Sequence, residues 1–225
     1  MKNNKMNHKV AMLIAGVIVL MGAIAAPAMP VSAKTTETPE TAITEEAGMP
    51  AYKYTGTLPY MSAVCDEIIA ENEKFYDKAD VAIPEPYIVR VDDSDQNDVK
   101  VWGRFGYFTY NVDGAYLQTQ AGGLPVGVMH LAKDENGEWT VTSVQLAEDG
   151  AGYNTSLMKI CENDRTLYDA FNIDEKSGND NRAAFIREYL ASNGMDFKGY
   201  QDYGWDPVDI TIDQEVYTGG YDFGK

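Results

Sequence analysis

The stretch 99–110, VKVWGRFGYFTY, limits the possible folds more than any other part of the chain. It is long, aromatic and β-branched, and it shows no helical stripe. Read as a strand, its side chains alternate between two faces. Trp102, Arg104, Phe108 and Tyr110 then share one face, and Val101, Phe105 and Tyr107 share the other. One set must pack against a helix, and the other is free to line a groove. Gly103 and Gly106 lie inside the run. Interior glycines in a strand mark a bend or bulge, so the sheet built on this strand should be sharply curved.

The neighbouring segments supply the rest of the sheet and its helices. Residues 59–79 carry Met61, Val64, Cys65, Ile68, Ile69, Phe75 and Tyr76 at three- and four-residue steps, the pattern of an amphipathic helix. Thr57 is placed to cap it and Pro59 suits its first turn. Pro84 and Pro86 interrupt that pattern, and residues 87–91 read as a short strand. After the central strand, Asp113-Gly114 and Asn136-Gly137 are hairpin signals. They separate strands at 116–120, 126–132 and 139–146, with Gly122-Gly123-Leu124-Pro125 as a further connection. The expected sheet is therefore an antiparallel meander. A helix from 156 toward 171, broken near Asn163-Asp164, and a second at 181–192, stopped by Gly194, follow. The tail from 200 onward is aromatic and glycine-rich, with Ile210-Thr211-Ile212 as a candidate edge strand.

Ahead of this region lie two segments with other tasks. Lys2, Lys5 and Lys9 precede an unbroken apolar run of 17 residues, 10–26. Pro27, Pro30 and Val31-Ser32-Ala33 follow, which is the anatomy of a cleaved secretory signal. Residues 1–33 are read as that signal, and 34–50, rich in Thr, Glu and Pro, as a disordered linker. Residues 51–225 form one α+β domain. The expected location is extracellular, with retention at the cell surface if the signal is left uncut.

Charge narrows the partners. Three of the 18 basic residues and none of the 35 acidic ones fall within 1–33, so the remainder carries 15 basic against 35 acidic residues, a formal charge of −20. A field of that sign repels phosphate backbones and anionic lipid. Nucleic acid is excluded as a partner, and so is stable membrane association after signal cleavage. Cys65 and Cys161 are the only cysteines. In an exported chain such a pair is expected to be oxidised to a disulfide.

A long amphipathic helix followed by a curved meander resembles the cystatin-like and NTF2-like α+β folds over roughly residues 58–149. A second resemblance rests on local motifs. These are Phe105-Gly106-Tyr107-Phe108 with Tyr110, then GGLPVGVMHL at 122–131, VTSV at 141–144 with Glu148-Asp149-Gly150, and YQDYGWDPV at 200–208. Together they resemble an uncharacterised family of secreted proteins from anaerobic Gram-positive bacteria. That likeness implies a compartment and no particular chemistry.

His130 is the only histidine outside 1–33 and shares a strand face with Val126 and Val128, which makes it the candidate acid or base. Trp102, Arg104, Tyr107 and Tyr110, with His130, are the candidate ligand-binding set, because aromatics around one Arg furnish a ligand cleft. Asp93, Asp95 and Asn97 mimic the start of a calcium loop, but Asp98 stands where the turn needs Gly and Arg104 where a bidentate Glu is needed. No metal or other cofactor is expected. The expected function is a non-catalytic secreted module that binds a small ligand or peptide. Two alternatives stand beside it. One is an NTF2-like pocket enzyme using His130, with Tyr107 or Tyr116 orienting a substrate. The other is a protein–protein or inhibitor module using the loop 200–207.

Overall fold

A computed structural model describes residues 48–210. The signal at 1–33, most of the linker and the end of the tail, including Thr211-Ile212, lie outside the described residues. The described part is mixed α+β, with a curved, open, mostly antiparallel sheet and helices on both of its faces.

The sheet is organised by β2, Val99–Asp113. On one side its residues Lys100 to Tyr110 pair with β1, Val81–Asp92. On the other side it pairs first with β4, Val126–Lys133, and then with β3, Tyr116–Gly123. The register is unbroken from Val99↔Leu131 through Arg104↔Val126 and Tyr107↔Gly123 to Thr109↔Ala121. β3 and β4 are thus two halves of one long strand. The sequence reads Gly122-Gly123-Leu124-Pro125 as the connection between two strands of a meander. The structure instead has a joint across which pairing continues, with the Phe105 amide donating to Pro125 O at 2.7 Å. Pro125 has no N–H, so only the ladder pattern is interrupted there.

Each half of the long strand then gains a different neighbour. β5, Trp139–Leu146, pairs with the β4 half. β6, Gly199–Gln201, runs parallel to the β3 half, and β7, Val208–Asp209, pairs with β6. The sheet forks, and β1 and β5 form its long free edges.

Gly103 and Gly106 produce the curvature at β2. A Cβ on Gly103 would sit 2.6 Å from Tyr87 O, and one on Gly106 2.7 Å from Glu85 O. Only glycine allows β1 to coil this closely over β2. β1 also overturns an expectation, because Pro84 and Pro86 lie inside it. An edge strand tolerates proline where the missing N–H points outward.

Four helices cover the sheet. α1, Met61–Asn72, packs on the face that carries Val99, Val101, Phe105, Met129 and Leu131. It buries Met61, Val64, Cys65 and Ile68, each such apolar side chain contributing about 1.5–3 kcal/mol. It is shorter than the 59–79 expected, and no side chain caps it. Tyr60 takes a left-handed φ of 68° at its start. The Tyr60 ring meets Trp139 edge-on at 4.9 Å, and this contact holds the turn.

The opposite face carries Trp102, Val126 and Val128 under α2, Tyr153–Ile160, and α3, Arg165–Ala170. These two helices are broken at Glu162 and Asn163, both with positive φ, as the Asn163-Asp164 signal implied. α4, Glu175–Ser192, begins six residues before the expected 181. Its first two turns are polar, so no apolar stripe marked them. The Asp174 carboxylate caps the Ser177 amide at 2.9 Å and fixes the start.

The expected disulfide is absent. Cys65 and Cys161 are both free and buried. Cys65 lies in the core under α1, and Cys161 ends α2 in the core beyond the sheet. The sheet lies between them. Burial raises the Cys65 thiol and pushes the Cys161 thiol up to about 11, so both stay protonated.

Candidate functional site

α1 does not close down on the whole of its sheet face. Toward its C-terminus, Glu67, Ile68, Glu71 and Asn72 form one wall of an open cavity of about 410 Å³. Phe105, Pro125, Met129, Val144 and Leu146 form the floor and the far wall, and Phe75, just past the helix, forms the lip. The cavity lies beside the β3–β4 joint, with Pro125 of the joint among its lining residues.

Its chemistry is apolar below and acidic above. Ile68, Phe105 and Met129 are buried. Phe75 and Leu146, by contrast, are 79% and 48% exposed. Apolar side chains at the mouth of an apolar cavity are what a bound molecule would cover. Partial burial raises the Glu67 carboxyl, and the nearby Glu71 charge raises it further. Glu71 is bridged by Lys74 at 2.5 Å. The Lys74 charge pulls the Glu67 carboxyl down, but by less than burial and Glu71 push it up.

A second cavity of about 490 Å³ lies at the other side of α1, between Ile69, Tyr76, Tyr107 and the segment Met49-Pro50-Ala51-Tyr52. Tyr76 and Tyr107 meet there with ring centroids 5.3 Å apart. Burial raises the Tyr107 phenol, and the charge of Glu73 adds to the effect.

The structure does not gather the five residues of the expected ligand set around one cleft. Trp102 is buried under α2, its indole N–H donating to Ile160 O at 3.0 Å. Arg104 donates to Phe171 O at 2.9 Å and Ile173 O at 3.3 Å, closing the end of α3. Tyr107 is on the other face, in the second cavity. Tyr110 is fully buried against Glu85 and Arg182. His130 is beside Lys100 and Ser143 on the Trp102 face, its Nδ1 2.7 Å from Asp98 Oδ1 and its Nε2 3.5 Å from Gln145 Nε2. The enzyme alternative needed His130 near Tyr107 or Tyr116. Tyr107 lies across the sheet from it. Tyr116 starts β3, opposite Asp113 at the far end of β2, and donates to Asp209 at 2.8 Å.

Sequence reasoning missed a buried polar cluster. Arg182 of α4 lies between the rings of Phe108 and Tyr200, 4.1 Å from each centroid. It donates two bonds to Asp202, at 3.0 and 3.1 Å, one to Thr119 at 2.7 Å and one to the Tyr110 oxygen at 3.0 Å. Tyr110 in turn donates to Glu85 Oε1 at 2.6 Å. Glu85 Oε2 has no hydrogen-bond partner, and its 3.6 Å to Arg182 Nε is beyond bonding reach. One guanidinium faces two carboxylates and is already held bidentately by Asp202. Burial therefore pushes the Glu85 carboxyl up to about 8 despite the pull of Arg182. Desolvation pulls against the Arg182 charge, but Tyr110, Glu85 and Asp202 hold its pKa up. Two signals were available in the sequence. Glu85 is the one acid among apolar residues and prolines, and Arg182 falls on the stripe of Phe185, Ile186 and Tyr189.

The cluster anchors the loop 200–207. Tyr200 is buried and Asp202 is clamped, whereas Tyr203 and Trp205 are 92% and 76% exposed. Gln201 Nε2 holds Trp205 O at 2.8 Å.

Comparison with protein-family models, curated proteins and solved structures finds no match to this chain. Any functional assignment must come from its own geometry.

Proposed function

We propose that the protein is a secreted, non-catalytic binding module that takes a small apolar ligand, or an apolar side chain of a peptide, in the cavity between α1 and β4–β5. The cavity carries the reading, because it joins a buried apolar floor to exposed Phe75 and Leu146 at its mouth. A helix held in the concavity of a curved sheet is the arrangement of cystatin-like and NTF2-like folds, and we assign the domain to that group. In such an arrangement the ligand takes the space the helix leaves open.

Nile red, a neutral apolar dye, tests this. Its fluorescence should rise saturably with the purified protein. Phe75→Asp and Leu146→Asp should each abolish the rise without lowering the melting temperature, since both side chains are exposed. No saturable signal, or a signal unchanged in both variants, would overturn the assignment.

A second reading rests on Tyr203 and Trp205. They are presented to solvent by a loop whose base is clamped through Asp202 and Arg182, which suits a protein-contact surface. The double variant Tyr203→Ala/Trp205→Ala should lose a protein partner while keeping its fold.

A further inference from the structure

We infer that the ligand of the α1–β5 cavity is an extended basic peptide, which adds as a strand to the free edge of β5 and places an apolar side chain in the cavity. This inference rests on the proposed binding role of that cavity.

The two long edges of the sheet are not equivalent. β1 carries Pro84 and Pro86, which remove two outward donors, and a register shift between Ile88 and Arg90. Prolines and bulges blunt an edge against further pairing. β5 has no proline, its one register shift falls at Thr142, ahead of the residues that line the cavity, and among the described strands only β4 pairs with it. The Ala147 amide points inward, donating to Val126 O at 2.8 Å. By two-residue alternation the amides of Val144 and Leu146 point outward. These are the same two residues whose side chains line the cavity. An added strand would therefore bond to the backbone of the residues that form the cavity wall, and its alternate side chains would reach over Leu146 toward Phe75. Main-chain pairing for affinity and a side-chain pocket for specificity is how peptides are captured at a sheet edge.

Charge selects the peptide. Glu67 and Glu71 are one helical turn apart at the rim, and the single Lys74, which bridges Glu71, offsets only part of their repulsion. A Lys or Arg next to the apolar anchor would relieve that repulsion. The chain as a whole is strongly acidic, with a formal charge of −17, so it favours a cationic partner in general.

A displayed library of random nonapeptides selected on the purified protein, with Leu146→Asp as the counter-selected control, tests the inference. Enriched peptides should alternate apolar residues and carry Lys or Arg beside one of them. For a synthetic copy of the leading peptide, N-methylation at the positions that pair with β5 should weaken binding by about tenfold or more. Glu67→Gln should weaken it by a smaller factor, and added salt should remove that difference. If no peptide is enriched over the control, if enriched peptides are acidic, or if N-methylation has no effect, the inference is wrong. Nile red binding that survives such a result would leave the cavity assignment standing, and its loss would remove both.

Discussion

Replacing Glu85 by Gln should abolish a pH dependence of stability that the wild type carries at an unusual place. In the native state the Glu85 carboxyl keeps its proton up to about pH 8, because it is fully buried and Arg182 is already held by Asp202. In the unfolded chain it releases the proton near its ordinary value of 4.5. Between those values the native state holds more protons than the unfolded state, so stability falls as pH rises. The full effect is reached above about pH 8 and is absent below about pH 4.5. At about 1.4 kcal/mol per unit, the window corresponds to an upper figure on the order of 5 kcal/mol. Gln has the same shape, accepts the Tyr110 hydroxyl through its carbonyl oxygen, and never ionises. Urea unfolding of both proteins from pH 5 to pH 9 is the assay. Other titrating groups cancel in the difference between the two. The two should be close in stability at pH 5, and Gln should be the more stable by several kcal/mol at pH 9. Parallel pH profiles would refute the reasoning. So would a Gln variant that loses ground as pH rises, since that would make ionised Glu85 a favourable partner of Arg182.

Other parts of the account can be checked with single variants. Thiol titration of the unreduced protein in denaturant should find two free cysteines, and Cys65→Ala with Cys161→Ala should not show the roughly 4–5 kcal/mol loss expected on removing a bridge across so long a loop. Trp102→Phe strands Ile160 O in the core beneath α2 and should cost about 1–3 kcal/mol in denaturant unfolding. Asp202→Ala removes both bonds to Arg182 and should cost about 2 kcal/mol, with faster proteolysis at 200–207 as a second readout.

The fold was legible where periodicity was strong. The alternation of 99–110 foretold which side chains share a face, and the observed register separates Trp102 and Arg104 from Phe105 and Tyr107 as expected. Gly103 and Gly106 foretold the bend. Local signals failed where tertiary context decided. Gly122 to Pro125 carries turn residues, yet β2 runs past it and holds both flanks in one register. The start of α4 has a cap but no apolar stripe, so only the cap could have marked it. The site was less legible than the fold. Aromatic content drew attention to Trp102 and Tyr110, which the structure uses for packing and a buried network. The cavity draws on α1, β2, β4 and β5 at once, and no spacing in the chain brings Phe75, Met129 and Leu146 together. The structure places Cys65 and Cys161 in separate core clusters, a placement that depends on tertiary packing and not on the compartment the disulfide expectation rested on.

The central claim is that the open cavity between α1 and β4–β5 is where the protein binds. Methyl NMR of the protein titrated with Nile red tests it most directly. The methyls of Ile68, Met129, Val144 and Leu146 should shift together and saturate with one dissociation constant, while those of Val126 and Val128, across the sheet, should hold still. Shifts confined to the far face or to the neighbourhood of Tyr203 and Trp205, or no shifts at all, would contradict it.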